Sequence, residues 1–335
     1  MRLHYFHYLF ITMRKFYLLI TCITASVCAF AQSEPQFTQY MYNRYLFNPA
    51  YAGSEDALEV SLLHRSQYVN LASRFISSQG FNFNIPIYTA SSGVGVTLVN
   101  DFIGYQRSTY VAFNYDYRKN FKWGKMAIGI GAGLIQASID GNKLRTPDGV
   151  YETGVNHNDD IVPVSLQQGL APDLSFGMYF NNDKYFAGAS INHIAFSSAK
   201  ISAANGNSQL NFSRNLFFTG GYDFKVNKKL KIMPSAIIKT DLKKVQADAG
   251  VTFTIIDNIL TGISFRGYTK KAIDALALVL GVRYKGFQLV YSYDANISYL
   301  TSFNAGSHEI SVAYRYKLKK RESRGYFYYN PRFNL

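Results

Sequence analysis

Cysteine is nearly absent from this chain, and the little there is lies at its beginning. The 335 residues include two cysteines, Cys22 and Cys28, and a single tryptophan, Trp123. Both cysteines fall within a leader that the sequence predicts to be removed. We therefore expect no disulfide framework, no zinc site and no thiol nucleophile in the mature chain.

A second absence is an apolar run long enough for a membrane-spanning helix, which needs about 20 residues. The apolar stretch 16–30 is shorter; it follows the basic pair 14–15 and ends in A-F-A at 29–31. A charged start, a short apolar stretch and an A-x-A site are typical of a secretory signal peptide. The sequence predicts a signal peptide over residues 1–31, with Met13 as an alternative start.

Acidic residues are few relative to basic ones. The chain has 35 Lys and Arg against 21 Asp and Glu, a net charge of +14, and removal of the leader would leave about +11. The basic residues are dispersed rather than clustered, and the chain is predicted to be exported, so we expect no nucleic-acid binding. The surplus is suited to anionic lipid head groups, to lumenal carboxylates or to an acidic partner.

What the sequence does have is a strict alternation of bulky and small residues. The segment 274–285 reads D-A-L-A-L-V-L-G-V-R-Y-K, with bulky apolar even positions and small or charged odd positions. Successive side chains of a strand point to opposite faces, so one face is apolar and the other small or polar. In a soluble sandwich the apolar face points to the core. In an outer-membrane barrel it points to lipid.

The same alternation recurs for about ten residues at a time between turn signals. The predicted strands are 57–68, 74–87, 93–103, 106–120, 124–138, 172–181, 184–194, 211–226, 229–241, 244–256, 259–269, 273–285, 287–297 and 307–318. There are about fourteen, an even number of the length that a tilted transmembrane strand requires. This predicts an all-β fold: a transmembrane antiparallel β-barrel over 56–318, preceded by a non-strand segment at 32–55 and followed by a tail at 319–335.

Charged residues on the small face decide between the two architectures. If the bulky residues point outward, the inward charges are Glu59, Arg65, Asp116, Arg118, Asp223, Lys239, Asp248, Arg266, Arg283, Asp294, Glu309 and Arg315. Both signs are present, as pairing requires, and a sandwich core could not hold such a set. We therefore predict a barrel, with short turns in the periplasm and long links such as 139–171 on the outer side.

Three apparent motifs of catalysis or binding are better explained by structural roles. The glycines of 129–133 alternate within a strand with no helix after it, unlike a nucleotide loop. Neighbours in the S-H-E of 307–309 face opposite ways and cannot form a relay. His157 with Asp159 and Asp160 could bind a cation, although a solvated acidic loop is the favoured interpretation. We expect no catalytic residue, cofactor, metal site or enzymatic activity.

Several stretches are too specific to follow from alternation alone. They read P-Q-F-T-Q-Y-M-Y-N at 35–43, N-P-A-Y-A-G at 48–53, P-D-L-S-F-G at 172–177, Y-F-A-G-A-S at 185–190, Y-S-Y-D at 291–294 and S-H-E-I at 307–310. Together they resemble the PorP/SprF family of type IX secretion-system outer-membrane proteins over essentially the whole mature chain. Arg65 begins R-S-Q-Y, similar to the family's R-x-Q-W, and Asp101 begins a match to its D-x-x-G.

The resemblance implies a barrel in the outer membrane of a Gram-negative bacterium that works in type IX secretion and, in some members, gliding motility. The implied partners are other type IX secretion components, a secreted cargo or adhesin, and outer-membrane lipids. The residues that carry an interaction or structural role are Asn48, Pro49, Tyr51, Gly53, Arg65, Asp101, Tyr291, Tyr293, Asp294, His308 and Glu309. The alternative, which the barrel alone permits, is a general porin or hydrophobic-solute channel.

The segment before the barrel is expected to be irregular chain, because Asn48-Pro49 is a turn former. It could fold into the lumen or lie on the periplasmic rim. Asp294 and Glu309 could anchor it through Arg side chains, or these polar groups could pair only with each other across the barrel. We expect a docking platform rather than an open pore, with this segment and the periplasmic turns or tail as contact surfaces.

Overall fold

The computed structural model describes residues 34–70, 76–152, 154–195, 197–203, 206–268, 271–297 and 304–318. The predicted signal peptide and the predicted tail lie outside these ranges, so both stay predictions. Four short 3-10 helices are present in the described part of the chain, at Arg44–Leu46, Pro49–Tyr51, Tyr88–Ala90 and Gly141–Lys143. The first two belong to the segment that precedes the barrel.

Strands make up most of the rest. In chain order they are β1 Ala57–Gln67, β2 Ile76–Ile87, β3 Ser92–Ile103, β4 Gln106–Phe121, β5 Gly124–Asp140, β6 Leu166–Asn181, β7 Tyr185–Asn192, β8 Ser198–Ala203, β9 Gly206–Asn211, β10 Asn215–Tyr222, β11 Phe224–Lys225, β12 Leu230–Thr240, β13 Val245–Ile255, β14 Ile259–Tyr268, β15 Lys271–Tyr284, β16 Phe287–Asn296 and β17 Ser307–Lys317.

Fourteen of these strands close into an antiparallel barrel, as the alternation predicts. Sequence neighbours pair along the sheet, β1 pairs with β17, and β10 pairs with β12 to complete the circle. The hairpin β8–β9 is separate, and the two-residue β11 extends the edge beside β12. None of the helices among the described residues is long and apolar enough to cross a membrane.

Two strands differ from the prediction by four residues or more at a boundary, whereas the others agree within two residues. Strand β6 begins at Leu166 rather than 172. Its first residues include two glutamines, a glycine and a proline, a composition that predicts a loop rather than a strand. The predicted strand 211–226 is shorter, since its first residue belongs to the hairpin β8–β9. That hairpin packs against β6 through Ala171 and Ala199, so it covers the part of β6 that the sequence assigned to a link.

Side chains alternate between the two faces of the wall as expected. Leu278 is 54% exposed, whereas its neighbour Ala277 is 4% exposed. The predicted inward charges follow the same rule with one exception: Asp223 is exposed, because it lies in the break between β10 and β11. The apolar surface therefore faces outward, as a lipid-embedded barrel requires.

The two ends of the barrel are different. One end, here called the turn end, carries the connections 88–91, 122–123, 182–184, 226–229, 256–258 and 285–286. The opposite end, here called the loop end, carries the long connections 141–165, 193–214 and 297–306. Aromatic side chains ring the turn end; the rings of Trp123 and Phe180, for example, stack 4.9 Å apart. Because outer-membrane barrels have short turns on the periplasmic side, we assign the turn end to the periplasm.

Candidate functional site in the barrel lumen

The segment 36–56 lies inside the barrel, and we call it the plug. Nearly all of its side chains from Gln36 to Ser54 are buried. It bonds to opposite walls: the Thr38 N–H donates to Glu309 Oε2 on β17 at 2.8 Å, and Ser190 Oγ on β7 donates to the Phe47 carbonyl at 2.6 Å. Of the two positions that the sequence allowed, the lumen is therefore the one observed.

Near the loop end, a single arginine joins two carboxylates that hold the plug. Arg65 Nη2 lies 2.6 Å from Asp294 Oδ2, and Arg65 Nη1 lies 3.0 Å from Glu309 Oε2. The Gln39 N–H donates to Glu309 Oε1 at 3.0 Å, and Thr38 Oγ1 donates to Asp294 Oδ2 at 2.7 Å. The two carboxylates therefore contact the segment directly and pair with Arg65 as well, so they do not pair only with other groups of the wall.

The same cluster continues to the strands on the far side of Asp294. Arg266 Nη1 lies 3.3 Å from Asp294 Oδ2, and its Nε lies 3.3 Å from Asp248 Oδ2. Arg266 Nη2 also donates to Thr38 Oγ1 at 2.9 Å. Lys239 Nζ lies 3.8 Å from Asp248 Oδ2. Cations and carboxylates are thus matched in number in this buried cluster, which limits the electrostatic penalty of burying them.

The N-P-A-Y-A-G stretch forms a capped turn against the opposite wall. Asn48 Oδ1 accepts from the Ala50 N–H at 2.9 Å, and Asn48 Nδ2 donates to the Met178 carbonyl on β6 at 2.9 Å. Pro49 occupies the first position of the following 3-10 helix, where its missing N–H is not needed. The Tyr51 ring meets the Tyr179 ring edge to face at 5.2 Å. This turn therefore ties the plug to the wall by both backbone and side-chain contacts.

Gly53, near the end of the plug, occupies a position that only glycine fits. Its φ is +63°, and a Cβ there would lie 2.6 Å from the Pro86 backbone nitrogen. Its N–H donates to Asn84 Oδ1 at 2.7 Å, and its carbonyl accepts from the Arg118 guanidinium. The left-handed backbone and the close approach both exclude a larger residue.

Small residues in the wall make room for the plug. A Cβ on Gly129 of β5 would lie 2.6 Å from Ala50 Cα, and one on Gly177 of β6 would lie 2.1 Å from Asn48 Oδ1. The glycine alternation that superficially resembles a nucleotide loop thus serves, at Gly129, to let the plug lie directly against the barrel wall.

Charged and aromatic groups of the plug are held at the turn end. Arg44 lies 3.8 Å from Glu55 Oε1, and its guanidinium lies 3.7 Å above the Phe186 ring. Burial would raise the pKa of the Glu55 carboxyl, but the Arg315 and Arg44 guanidinium groups outweigh it and hold that pKa below its usual value. Deeper in the lumen, the Tyr40 hydroxyl donates to the Ser235 carbonyl of β12 at 2.8 Å.

The predicted site residues divide between two faces of the wall. Asp101 faces the lumen, where Ser78 Oγ donates to it at 2.5 Å. Tyr291, Tyr293 and His308 face outward, and the Tyr291 hydroxyl lies 2.7 Å from His308 Nδ1. The Y-S-Y-D and S-H-E-I motifs therefore contribute alternate residues to the lumenal cluster and to the outer surface.

Several residues that hold the plug are not evident from the sequence. Thr38 and Gln39 lie in the 35–43 stretch without standing out within it, and alternation places Arg266 in the lumen without showing what it contacts. A stretch rich in polar residues outside any strand was the available signal. The alternation could not show which inward charges the plug would meet, because that depends on how it crosses the lumen.

The long connection after β5 is organised around a buried histidine. His157 is buried; its Nδ1 lies 3.0 Å from the Tyr151 hydroxyl and its Nε2 lies 3.0 Å from the Gly141 carbonyl. Asp159 and Asp160 are exposed. No group of three or more metal-binding side chains occurs in the described ranges. The histidine thus packs the connection internally, which the favoured solvated interpretation did not foresee.

Solved structures similar to this chain are outer-membrane barrels of low sequence identity. The Ralstonia pickettii toluene transporter TbuX is 10% identical with a TM-score of 0.48, covering 84% of this chain and 93% of its own. A Pseudomonas aeruginosa FadL homologue is 9% identical with a TM-score of 0.47, covering 86% and 95%. The Acinetobacter baumannii outer membrane protein Omp33 is 6% identical with a TM-score of 0.39, covering 78% and 99%.

No curated protein sequence matches the chain. A family model does: the type IX secretion system membrane protein PorP/SprF matches residues 29–314. This match spans the plug and all of the barrel except the last three residues of β17, and it includes the stretches that carry the resemblance in the sequence. The chain therefore belongs to the PorP/SprF family of type IX secretion system membrane proteins and is a β-barrel of the outer membrane.

Proposed function

We propose that this barrel is a closed docking component of type IX secretion, which assists the export or surface attachment of secreted proteins and does not itself conduct solutes. The observation that carries the proposal is the plug. It crosses the lumen from Thr38, bonded near the loop end, to Gly53, bonded to Asn84 near the turn end. A general porin requires a continuous aqueous path, and the plug occupies that path.

The contacts that hold the plug indicate that it stays in the lumen. Arg65 and Arg266 each contact Asp294 and Thr38, and every one of these side chains is buried. Thr38 and Gln39 of the plug donate to the buried carboxylates of Asp294 and Glu309, and a hydrogen bond to a charged group contributes about 1.5–3 kcal/mol. Spontaneous release of the plug to open a solute path would break several such hydrogen bonds, so a channel gated by the plug is the less favoured function.

The burial of the plug also changes its expected role. Asn48 and Tyr51 point into the wall rather than to solvent, so we assign the N-P-A-Y-A-G stretch to closing and stiffening the barrel. Direct contacts with other secretion components or cargo then fall to the two ends of the barrel. If the exported protein is an adhesin, the same role would serve gliding motility.

Two measurements test this function together. The purified wild-type barrel in planar bilayers should show no stable conductance, and deletion of the gene should reduce the amount of type IX cargo on the cell surface and in the medium. Restoring the wild-type chain should restore both. A wild-type barrel that conducts like a porin, in cells whose secretion does not depend on it, would contradict the proposal.

A further inference from the structure

The turn end is more basic than the loop end. Its lysines are Lys119, Lys122, Lys125, Lys184, Lys225, Lys228, Lys229, Lys231, Lys285 and Lys317. The acidic residues there are fewer, namely Glu55, Asp56, Asp183, Asp223 and Asp257. At the loop end, basic and acidic residues are about equal in number within the described ranges. The basic surplus of the chain is therefore concentrated on the face that meets the periplasm.

Two neighbouring turns combine this charge with exposed apolar side chains. The Ile256 N–H donates to the Lys229 carbonyl at 2.7 Å, so the turns 226–229 and 256–258 lie side by side. Val226 and Ile256 are 56% and 59% exposed. We call Val226, Lys228, Lys229 and Ile256 the basic turn patch.

The backbone of Ile256 lies in a conformation that residues of its type rarely adopt. Ile256 and Asp257 have φ of +52° and +59°, in the left-handed region that favours Gly, Asn or Asp. A β-branched residue at positive φ is an outlier, and strain of this kind is concentrated at functional sites. Because the Ile256 side chain is 59% exposed, its burial within the barrel offsets little of this strain.

The lysines of the two turns are only partly neutralised. Lys225 and Lys231 are cross-strand partners, and like charges in that position repel. Lys231 Nζ lies 2.6 Å from Asp257 Oδ1, and this hydrogen bond holds the pKa of the Asp257 carboxyl below its usual value. Among the described residues, Lys228 and Lys229 make no ion pair, so they remain available to an external carboxylate.

We infer that the basic turn patch docks a segment of a periplasmic partner protein that joins carboxylates to apolar side chains. The inference deepens the proposed function, on which it rests, by naming one docking surface and the chemistry of its partner. Lysines alone would be enough to bind anionic lipid head groups. Val226 and Ile256 lie in the connections between strands rather than on the lipid-facing strands, and exposed apolar side chains at such a position favour a protein partner. The chain's own tail is a poor occupant, since 319–335 has five basic residues and one acidic residue.

Photo-crosslinking in whole cells tests this surface. A photoreactive residue replaces Val226 in the wild-type background, in a Lys228→Glu/Lys229→Glu variant and in Ile256→Asn. Asparagine tolerates positive φ, so Ile256→Asn should leave the barrel at least as stable while removing the apolar contact. The matched control position is Leu242, an exposed residue beside Lys243 and Lys244 in the loop-end turn between β12 and β13.

The expected result is one discrete protein adduct from position 226 that is absent from position 242. Its cross-linked peptide, located by mass spectrometry, should contain Asp or Glu beside apolar residues. Each variant should lower the yield of this cross-linked adduct by about tenfold, equivalent to about 1.4 kcal/mol. A heat-modifiability assay should show that the barrel of each variant is still folded. Adducts with phospholipid alone, no adduct, a basic cross-linked peptide, or a yield unchanged by both variants would each overturn the inference.

The outcomes also separate this surface from the proposed function. If the adduct behaves as expected but Lys228→Glu/Lys229→Glu secretes cargo normally, and gene deletion also leaves secretion unchanged, the surface stands and the proposed function fails. If gene deletion blocks secretion but position 226 gives no adduct, the proposed function stands and this surface is wrong.

Discussion

Arg65 on β1 and Asp294 on β16 lie on strands that do not pair with each other, yet their side chains meet at 2.6 Å across the intervening strand β17. The carboxylate between them in the wall is Glu309, and all three contact Thr38 of the plug. One arginine therefore couples the closing of the lumen to the positions of three strands.

Arg65→Ala should loosen the plug. The substitution leaves the Asp294 and Glu309 carboxylates buried without their main counter-ion, which destabilises by about 3–5 kcal/mol. We expect a lower temperature for loss of the heat-modifiable form and the appearance of conductance in planar bilayers. Arg65→Lys, which keeps one charge but loses the two-pronged contact, should be intermediate. A closed Arg65→Ala barrel of wild-type stability would show that the cluster does not retain the plug.

Gly129→Leu should displace the plug without breaking the wall. A Cβ at Gly129 already lies 2.6 Å from Ala50 Cα, so a leucine side chain has no space while the plug is in place. The expected result is a folded barrel with increased conductance. The matched control is Ala132→Leu, because Ala132 on the same strand is exposed on the outer face. If both variants stay closed, the plug adapts more easily than the packing indicates.

Substitutions on the two faces of β15 should differ in how strongly they reduce the amount of folded protein. Leu278→Arg places a charge toward lipid near mid-strand, which destabilises by about 2–4 kcal/mol. Ala277→Ser places a hydroxyl inside, opposite its cross-strand partner Asp294, which can accept a hydrogen bond from it. We expect a marked loss of folded, heat-modifiable protein for Leu278→Arg and little for Ala277→Ser. Equal losses would contradict the facing of the strand.

These tests rely on features that differ in how well the sequence predicts them. The barrel, its strand number and its facing follow from alternation, because period two is a local property of the chain. The start of β6 and the hairpin β8–β9 do not, since their residues have turn-like composition and are held by contacts with β6, as between Ala171 and Ala199.

The lumenal site was predictable only in part. The sequence predicts that Asp294 and Glu309 contact an arginine and the N-terminal segment. It does not show which arginine is involved, or which residues of the segment. Their partners Arg65 and Thr38 lie more than two hundred residues away in sequence, and only the closed barrel brings them together. His308 and Glu309 belong to the same motif and are therefore both predicted as site residues. Alternation nevertheless places these neighbours on opposite faces of the strand.

Acid should weaken the turn-end attachment of the plug. Because the pKa of Glu55 is lowered in the folded protein, its contribution is present above the unfolded value of about 4.3 and is lost as pH falls through the folded value. The Glu55 side chain is 36% exposed, so the effect should stay below about 1 kcal/mol. Below about pH 4, the wild-type protein should therefore lose more stability than the Glu55→Gln variant loses. Parallel pH profiles of the two proteins would exclude this role for Glu55.

Asn48→Ala should harm the plug more than Pro49→Ala. The Asn48 side chain both caps the 3-10 helix and bonds to the β6 backbone, and loss of a capping side chain costs about 0.5–2 kcal/mol. Pro49→Ala only restores freedom to a backbone position that can still adopt the turn. We expect both variants to insert as barrels, with Asn48→Ala alone raising the conductance of the purified protein and lowering cargo secretion in cells. If Asn48→Ala conducts but secretes normally, closing of the lumen is separate from secretion. If it stays closed and secretes normally, the contacts of Asn48 are not needed to hold the plug.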